Sequence, residues 1–413
     1  MKRNNSKVIN LGCRLNFFES EVIKNILIQE GLNNKIVINT CAVTNQAVKK
    51  SIDEVKKAAK SFPNHKIIVT GCASQIEKKK FSTLKNVSQL IENKNKTHAE
   101  SYTRKLTKKR KDFNFPFFDN FTSSRSRAML QIQQGCDHRC TFCIIPYGRG
   151  DSKSLSFHEI VERTENILQR GYSEIIFTGV DLTSYGHDLP GKPKLGNIIK
   201  RLLTVQPKLK RLRLSSIDPA EIDSDLLQLL CYEKRLLPHL HLSLQSGDNL
   251  ILKRMKRRHN RNQVIDLCKK VKSIRPEFTF GADVIVGFPT ETENNFLQTL
   301  NLIKLCNFSN VHVFPYSSKE GTPASRMPQV CEKIKKERVN ILRSESNKIL
   351  YDQLNKVIGK STSILFESLK KSYTDEFFKV KLIEGDEIMS RSGSLLNVKI
   401  TSRQNDTLIA KIL

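Results

Sequence analysis

The sequence predicts an α/β protein in three parts. These are a small parallel α/β domain at residues 1–92, a partial (β/α) barrel at 127–345 and a small antiparallel β domain at 346–413, with a basic linker at 93–126. Three observations predict it. Strand-length apolar runs alternate with helix-length amphipathic runs to about residue 90, and again at longer spacing from 127 to 345. After about residue 358 only short strand-like segments remain, separated by turn residues such as Glu384-Gly385-Asp386 and Gln404-Asn405-Asp406. A chain of 413 residues is also too long for one ordinary core.

In the first part, 7–11 reads as a strand, 18–29 as an amphipathic helix and 35–39 as a second strand. A helix with a lysine-rich face follows at 46–60, then a third strand at 65–70 that ends at Gly71. This alternation implies a small parallel sheet. Cys13, Cys41 and Cys72 each come just after a strand, so all three sit at its carboxyl edge, where open α/β sheets build their sites. The linker holds a basic run at 104–111 and then Phe113, Phe115, Phe117 and Phe118. That pattern suits stacking on a nucleic acid, and equally a solvated strap whose rings tuck into a groove. Barrel strands are expected at 128–133, 174–178, 211–215, 239–244, 278–286 and 310–314, with helices at 157–170, 225–231, 261–274 and 291–305. Such barrels carry their chemistry on the loops after strands. Cys136 lies in the first of those loops. Strands at 361–368, 377–382, 395–401 and 407–412 complete a small barrel or sandwich.

Seventy Lys and Arg against 41 Asp and Glu leave a net charge of +29. An excess that large favours a polyanionic partner, because neutralised phosphates release counterions. A compositional drift toward Lys and Asn, as in Ile91-Glu92-Asn93-Lys94-Asn95-Lys96, is the alternative. No apolar run approaches the ~20 residues that span a bilayer. The basic start Met1-Lys2-Arg3-Asn4-Asn5-Ser6 is not followed by an apolar export segment, so a cytoplasmic enzyme with no membrane partner is expected. Ten cysteines in that compartment do not suggest disulfides. Cys231, Cys268 and Cys306 each follow a leucine in a helical context and read as small buried hydrophobes.

Gly135-Cys136-Asp137-His138-Arg139-Cys140-Thr141-Phe142-Cys143 carries the strongest chemical signal. Three thiolates on a four-iron cluster leave one iron without a protein ligand, free to chelate the amino and carboxylate groups of S-adenosylmethionine (SAM). Zinc held by these cysteines and His138, and plain helical core packing, are the competing readings. Cys13, Cys41 and Cys72 form a second set of three, either another open-iron cluster or unrelated buried thiols. Glycines and short polar residues recur at strand ends, in Thr178-Gly179-Val180, Ser215-Ser216, Gln245-Ser246-Gly247 and Val286-Gly287-Phe288-Pro289. Together they suggest a nucleoside pocket, with Phe142, Gly179, Ser215, Gln245 and Gly287 as candidate cofactor contacts. The basic segment from Lys253 to Arg261 reads as a phosphate contact or as a solvated helix face.

Over nearly its whole length the chain resembles the methylthiotransferases, most specifically in Gln134-Gly135-Cys136 and in Cys143-Ile144-Ile145-Pro146-Tyr147-Gly148-Arg149-Gly150. The resemblance implies a cluster-bearing N-terminal domain, a radical-SAM barrel and a C-terminal TRAM domain. It implies that Cys136, Cys140 and Cys143 hold a SAM-cleaving 4Fe-4S cluster, and that Cys13, Cys41 and Cys72 hold an auxiliary 4Fe-4S cluster carrying the sulfur to be transferred. Leu11-Gly12-Cys13-Arg14-Leu15-Asn16 and Asn39-Thr40-Cys41-Ala42-Val43-Thr44-Asn45 look like the MtaB branch. That branch methylthiolates C2 of N6-threonylcarbamoyladenosine at position 37 of tRNA. The isopentenyladenosine branch usually has Gln-Met-Asn after the first cysteine, and the ribosomal-protein branch Pro-Lys-Asn. One departure is Phe17-Phe18, where the MtaB branch usually carries Gln-Tyr. The implied reaction uses one SAM to methylate sulfur and a second to give the 5′-deoxyadenosyl radical for the unactivated C2–H bond. Its implied partners are the tRNA anticodon arm and an external electron donor. Methylthiolation of another tRNA adenosine or of a ribosomal protein, and a noncatalytic iron–sulfur RNA-binding protein, are the alternatives.

Overall fold

The computed structural model describes residues 5–103, 113–116, 126–383 and 392–413. The basic run 104–111, Phe117, Phe118 and the turn at 384–386 lie outside the described residues.

The N-terminal sheet is parallel throughout, with strands Lys7–Asn10, Lys35–Thr40, Lys66–Gly71 and Val87–Ile91 side by side in chain order. Successive strand residues point to opposite faces, so each face has its own helix. Val37 and Ile68 pack with Leu15, Phe18, Val22, Ile23 and Ile26 of helix Arg14–Gln29. Ile36, Ile38, Ile67 and Val69 pack with Val48, Val55 and Ala58 of helix Asn45–Ser61. Two features differ from the sequence expectation. The fourth strand, Val87–Ile91, is half polar and carries no clear alternation. The first helix begins at Arg14 rather than at 18, because Cys13 in extended backbone is its N-cap. Phe18 turns into the apolar core on that helix.

The central region has six parallel strands in two sets of three. Arg127–Gln131, Glu174–Thr178 and Leu212–Leu214 make one set, and His239–Gln245, Thr279–Val286 and Phe308–Pro315 the other. The bridges Leu212 to Leu236 and Ile217 to Leu242 join them. The first and last strands do not pair among the described residues, so the barrel is partial, as expected. Helices Phe157–Gln169, Ser224–Tyr232, Arg261–Ile274 and Glu293–Cys306 match the expected ones. Leu195–Val205 adds a helix where the preceding Pro and Gly residues hid the period. Cys231, Cys268 and Cys306 are buried in the barrel core. Phe115 packs against that core too, which favours the strap reading for the described part of the linker.

The C-terminal strands Ser361–Ser368, Lys371–Thr374, Lys379–Leu382, Leu395–Gln404 and Thr407–Ile412 close into a barrel. It is not wholly antiparallel, because Lys379–Leu382 runs parallel to Thr407–Ile412. The reason is topological: a closed ring of five strands cannot alternate direction all the way round. Helix Glu332–Asn355 runs without a break through the expected boundary at 345/346. Its Leu342 and Ile349 belong to the central core, and its Leu350 and Leu354 to the core of the small barrel. Glu174, fully buried, completes the junction. It holds Arg127, Arg211 and Arg213 at 2.9, 2.9 and 2.7 Å. Arg213 reaches on to the carbonyls of Thr374 and Asp375 at 2.9 Å each. No helix among the described residues is long and apolar enough to cross a membrane.

Leu354 is fully buried and Leu305 is 54% exposed. Leu354→Ala is expected to cost about 2–5 kcal/mol in urea unfolding followed by circular dichroism. Leu305→Ala should stay within about 0.5 kcal/mol of the parent. Equal effects would contradict the shared-spine role of this helix.

Candidate functional site

Three neighbouring strands end in cysteines. Cys13 caps the first helix, Cys41 follows Thr40, and Cys72 opens a short helix directly after Gly71. Gly71 is at φ +101°, and a Cβ there would strike the Thr40 backbone, so only glycine lets the two strand ends lie so close. The Thr40 hydroxyl donates to the Thr70 carbonyl at 2.7 Å and accepts from the Ser74 amide at 3.1 Å, which fixes the edge. Burial pushes the Cys41 thiol up to about 11. All three cysteines line one cavity of about 560 Å³.

The loop carrying Cys136, Cys140 and Cys143 is pinned from several sides and is not helical, which removes the core-helix reading. The Cys136 amide donates to the Gly150 carbonyl at 3.1 Å, and Asp137 accepts from the Ser152 amide at 2.8 Å. Thr141 is tied by backbone bonds to Met255 at 3.1 Å and Ala324 at 2.9 Å. Gly135, at φ +75°, abuts the Asp151 carbonyl with no room for a Cβ. The His138 Nε2 lies 3.0 Å from Asp181 and 3.5 Å from Glu221, and these hydrogen bonds raise its pKa to about 9. That nitrogen is therefore engaged by carboxylates, which disfavours a zinc held by His138. Burial pushes the Cys143 thiol up to about 11 and the Cys136 thiol higher still, with Asp181 adding to the second. Thiols so placed keep their protons until a metal replaces them. Arg257 Nη1 stands 3.8 Å from the Cys140 sulfur, a favourable neighbour for a thiolate. The donor set fits an iron–sulfur cluster.

Phe142, Gly179, Ser215 and Gln245 line the same cavity as Cys13, Cys41 and Cys72. A Cβ on Gly179 would come within 2.7 Å of the Gln133 side chain, so this wall admits only glycine. The Ser215 hydroxyl is buried with no hydrogen-bond partner among the described residues, an open position for a ligand group. Gln245 holds a left-handed backbone at φ 67°. Gly287 is not part of the lining. Its amide donates to Glu291 at 2.6 Å and its α-carbon faces the Lys335 stem, so its positive φ serves a turn. The segment from Lys253 to Arg261 is mixed: Lys253, Lys256 and Arg258 are exposed, Met255 and His259 are buried, and the arginines find internal partners. Arg257 and Arg258 hold Asp218 at 2.9 and 3.0 Å, and Arg261 donates to the Gly247 carbonyl at 3.0 Å.

The feature that sequence reasoning missed joins the two cysteine sets. Glu19, on the helix capped by Cys13, is 1% exposed and accepts from Arg149 at 2.8 and 3.0 Å. Lys96, fully buried, reaches the same carboxylate at 2.5 Å. Arg149 also donates to Asn16, whose side chain lies 3.8 Å from the Cys13 sulfur. Asn93 binds the Gly148 carbonyl at 2.5 Å and lies 3.8 Å from the Cys72 sulfur. Burial alone would raise the Glu19 pKa, but Arg149 and Lys96 hold it below the ordinary carboxylate value.

The chain is similar to known proteins in sequence and in fold. Residues 130–303 match the radical SAM superfamily, and residues 5–92 match a family described as uncharacterized protein family UPF0004. A threonylcarbamoyladenosine tRNA methylthiotransferase MtaB from Rickettsia prowazekii is 46% identical, over 92% of each chain. The chain belongs to the methylthiotransferase family. The MtaB protein of Bacillus subtilis is 33% identical over 94% of this chain and 92% of its own. A tRNA-2-methylthio-N(6)-dimethylallyladenosine synthase from Orientia tsutsugamushi is 30% identical over 97% of each. The fold is like that of the radical SAM methyltransferase TsrM from Kitasatospora setae, solved with cobalamin and a [4Fe-4S] cluster bound. The TM-score is 0.58 at 11% identity, over 78% of this chain and 74% of that one. As a radical SAM methylthiotransferase the protein works with S-adenosylmethionine and 4Fe-4S clusters.

Removing Glu19 would leave two buried cations unpaired. Glu19→Ala is expected to cost about 3–5 kcal/mol in urea unfolding, whereas exposed Glu30→Ala should change little. The Glu19 carboxylate stabilises fully above the ordinary value near ~4.5, and this is lost as pH falls through its lower folded value. The gap between parent and Glu19→Ala should therefore shrink on acidification; a gap constant with pH would contradict the pairing.

Proposed function

We propose that this methylthiotransferase converts N6-threonylcarbamoyladenosine at tRNA position 37 into its 2-methylthio derivative. One observation carries the reading: a single cavity is lined by Cys13, Cys41 and Cys72 together with Phe142, Gly179, Ser215 and Gln245 from the barrel. The cysteines that would carry the sulfur and the residues that would contact the cofactor thus share one chamber. Cys136, Cys140 and Cys143 hold one 4Fe-4S cluster, and Cys13, Cys41 and Cys72 the auxiliary one. When bound, an open-iron cluster chelates SAM and delivers the electron that cleaves its sulfonium.

The chain's own residues do the rest. Gly179 gives the cofactor close approach to the strand end, and Ser215 offers its unpartnered hydroxyl. Phe142 presents its ring edge-on to Phe288 at 6.4 Å and closes the wall between the cysteine loop and the cavity. Arg257 neutralises charge beside Cys140. One MtaB protein is 46% identical and four others 31–34%, against 30–31% for the dimethylallyladenosine synthases, and the first of these supports the threonylcarbamoyl substrate. The net charge of +29 and the TRAM-like barrel suit the anticodon arm, whose target base must leave its stack to enter the cavity. An external electron donor would complete the reaction, and a tRNA substrate supports a cytoplasmic location.

Mass spectrometry of tRNA nucleosides from a deletion strain tests the reading. The 2-methylthio nucleoside should disappear and N6-threonylcarbamoyladenosine accumulate, with rescue by the parent gene and none by Cys140→Ala. An unchanged nucleoside profile would overturn it.

A further inference from the structure

The cavity that holds Cys13, Cys41 and Cys72 also holds an unpaired cation. Arg14 follows Cys13 directly and lines both this cavity and an adjoining one of about 290 Å³, formed with His239, Tyr373 and Phe377. Among the described residues it donates no hydrogen bond and meets no carboxylate at ion-pair distance; its recorded contact is the face of Phe377, 5.7 Å from the ring centre.

The surrounding charges make this distinctive. Arg127, Arg211 and Arg213 share Glu174, Arg149 is held by Glu19, and Arg257 by Asp218. Asp283, the carboxylate lining the same cavity, is engaged twice over, by His241 Nε2 and His312 Nδ1 at 3.1 Å each. Its pKa is depressed by these two histidines, against the effect of burial, so it stays ionised within that group. The chamber therefore keeps an exposed guanidinium in its wall with no carboxylate already paired to it, able to take an anion from the ligand.

We propose that Arg14 binds the carboxylate of the threonylcarbamoyl group, and so selects an acidic N6 substituent over an apolar one. The inference rests on the substrate proposed above and names the residue that recognises it. The guanidinium fork matches a carboxylate in two parallel hydrogen bonds. A dimethylallyl group, the substituent in the name of the 30% identical relatives, would strip water from Arg14 and return no partner. The position after the first cysteine thereby gains a physical meaning: it faces the part of the nucleoside on which the substrates differ.

The test uses reconstituted holoenzyme and two anticodon stem-loop RNAs, one bearing N6-threonylcarbamoyladenosine and one its methyl ester. The parent enzyme should prefer the acid by roughly 10- to 100-fold in kcat/KM, mostly through KM, as expected for a hydrogen bond to a charged group. Arg14→Met should bring the preference within about 3-fold while keeping the parent's iron content, and Arg14→Lys should restore part of it. Fluorescence anisotropy with the same labelled RNAs reads the same discrimination in binding, so a variant that loses its clusters still gives an answer. If Arg14→Met keeps the parent's preference for the acid, the inference is overturned. A parent enzyme inactive on the acid RNA would instead overturn the substrate assignment beneath it.

Discussion

The carboxylate of Glu19 is held inside the protein by Arg149, from the segment just past Cys143, and by Lys96, from the end of the N-terminal region. An isolated carboxylate at that depth would be too costly to keep ionised. Once paired, it fixes the register between a helix capped by Cys13 and a loop that begins at Cys136. The two cations and one carboxylate leave one positive charge over, next to Cys13 and Cys72. Against the effect of burial, the Glu19 carboxylate first, with Cys72 and Cys13 after it, holds the Arg149 pKa above its ordinary value.

A second constraint is geometric. The parallel strands of the N-terminal sheet and of the partial barrel both end in cysteine-bearing loops. Where these edges meet they line one cavity, with Cys13, Cys41 and Cys72 from one region and Gly179, Ser215 and Gln245 from the other. Asn45 ties the N-terminal region to Ser317 and Ser318 at 2.9 Å each, after the last barrel strand, which closes the chamber from the other side. Below it, Glu174 and its three arginines anchor the small barrel, and Phe377 stacks on His239 at 5.1 Å. The C-terminal barrel is thus part of the chamber's support and not a loose appendage.

Much of this was legible in the sequence. Strand-then-helix alternation gave the parallel sheets, and the placement of Cys13, Cys41 and Cys72 after strands gave their common edge. What escaped was long-range charge pairing. Glu19 and Arg149 are 130 positions apart, and Asn93 and Lys96 sat in a stretch whose composition resembled simple Lys and Asn drift. Both are buried and engaged. In the segment from Lys253 to Arg261 the arginines find internal partners that no local pattern reveals, while Lys253 and Lys256 stay exposed. Pairing direction in the small barrel escaped too, since local alternation marks a strand but not its neighbour. At Gly287 the sequence showed a glycine at a strand end, but only packing against Lys335 and Glu291 explains it.

The central proposal is that two separate sets of three cysteines each hold a four-iron cluster: Cys13, Cys41 and Cys72 in the cavity wall, and Cys136, Cys140 and Cys143 outside that lining, on the loop whose Phe142 reaches it. Iron analysis after anaerobic reconstitution tests it most directly. The account predicts about eight iron atoms in the parent chain. It predicts about four in a variant with Cys13, Cys41 and Cys72 all replaced by alanine, and about four in one with Cys136, Cys140 and Cys143 replaced. A parent holding only about four, or a first triple variant still holding about eight, would contradict it.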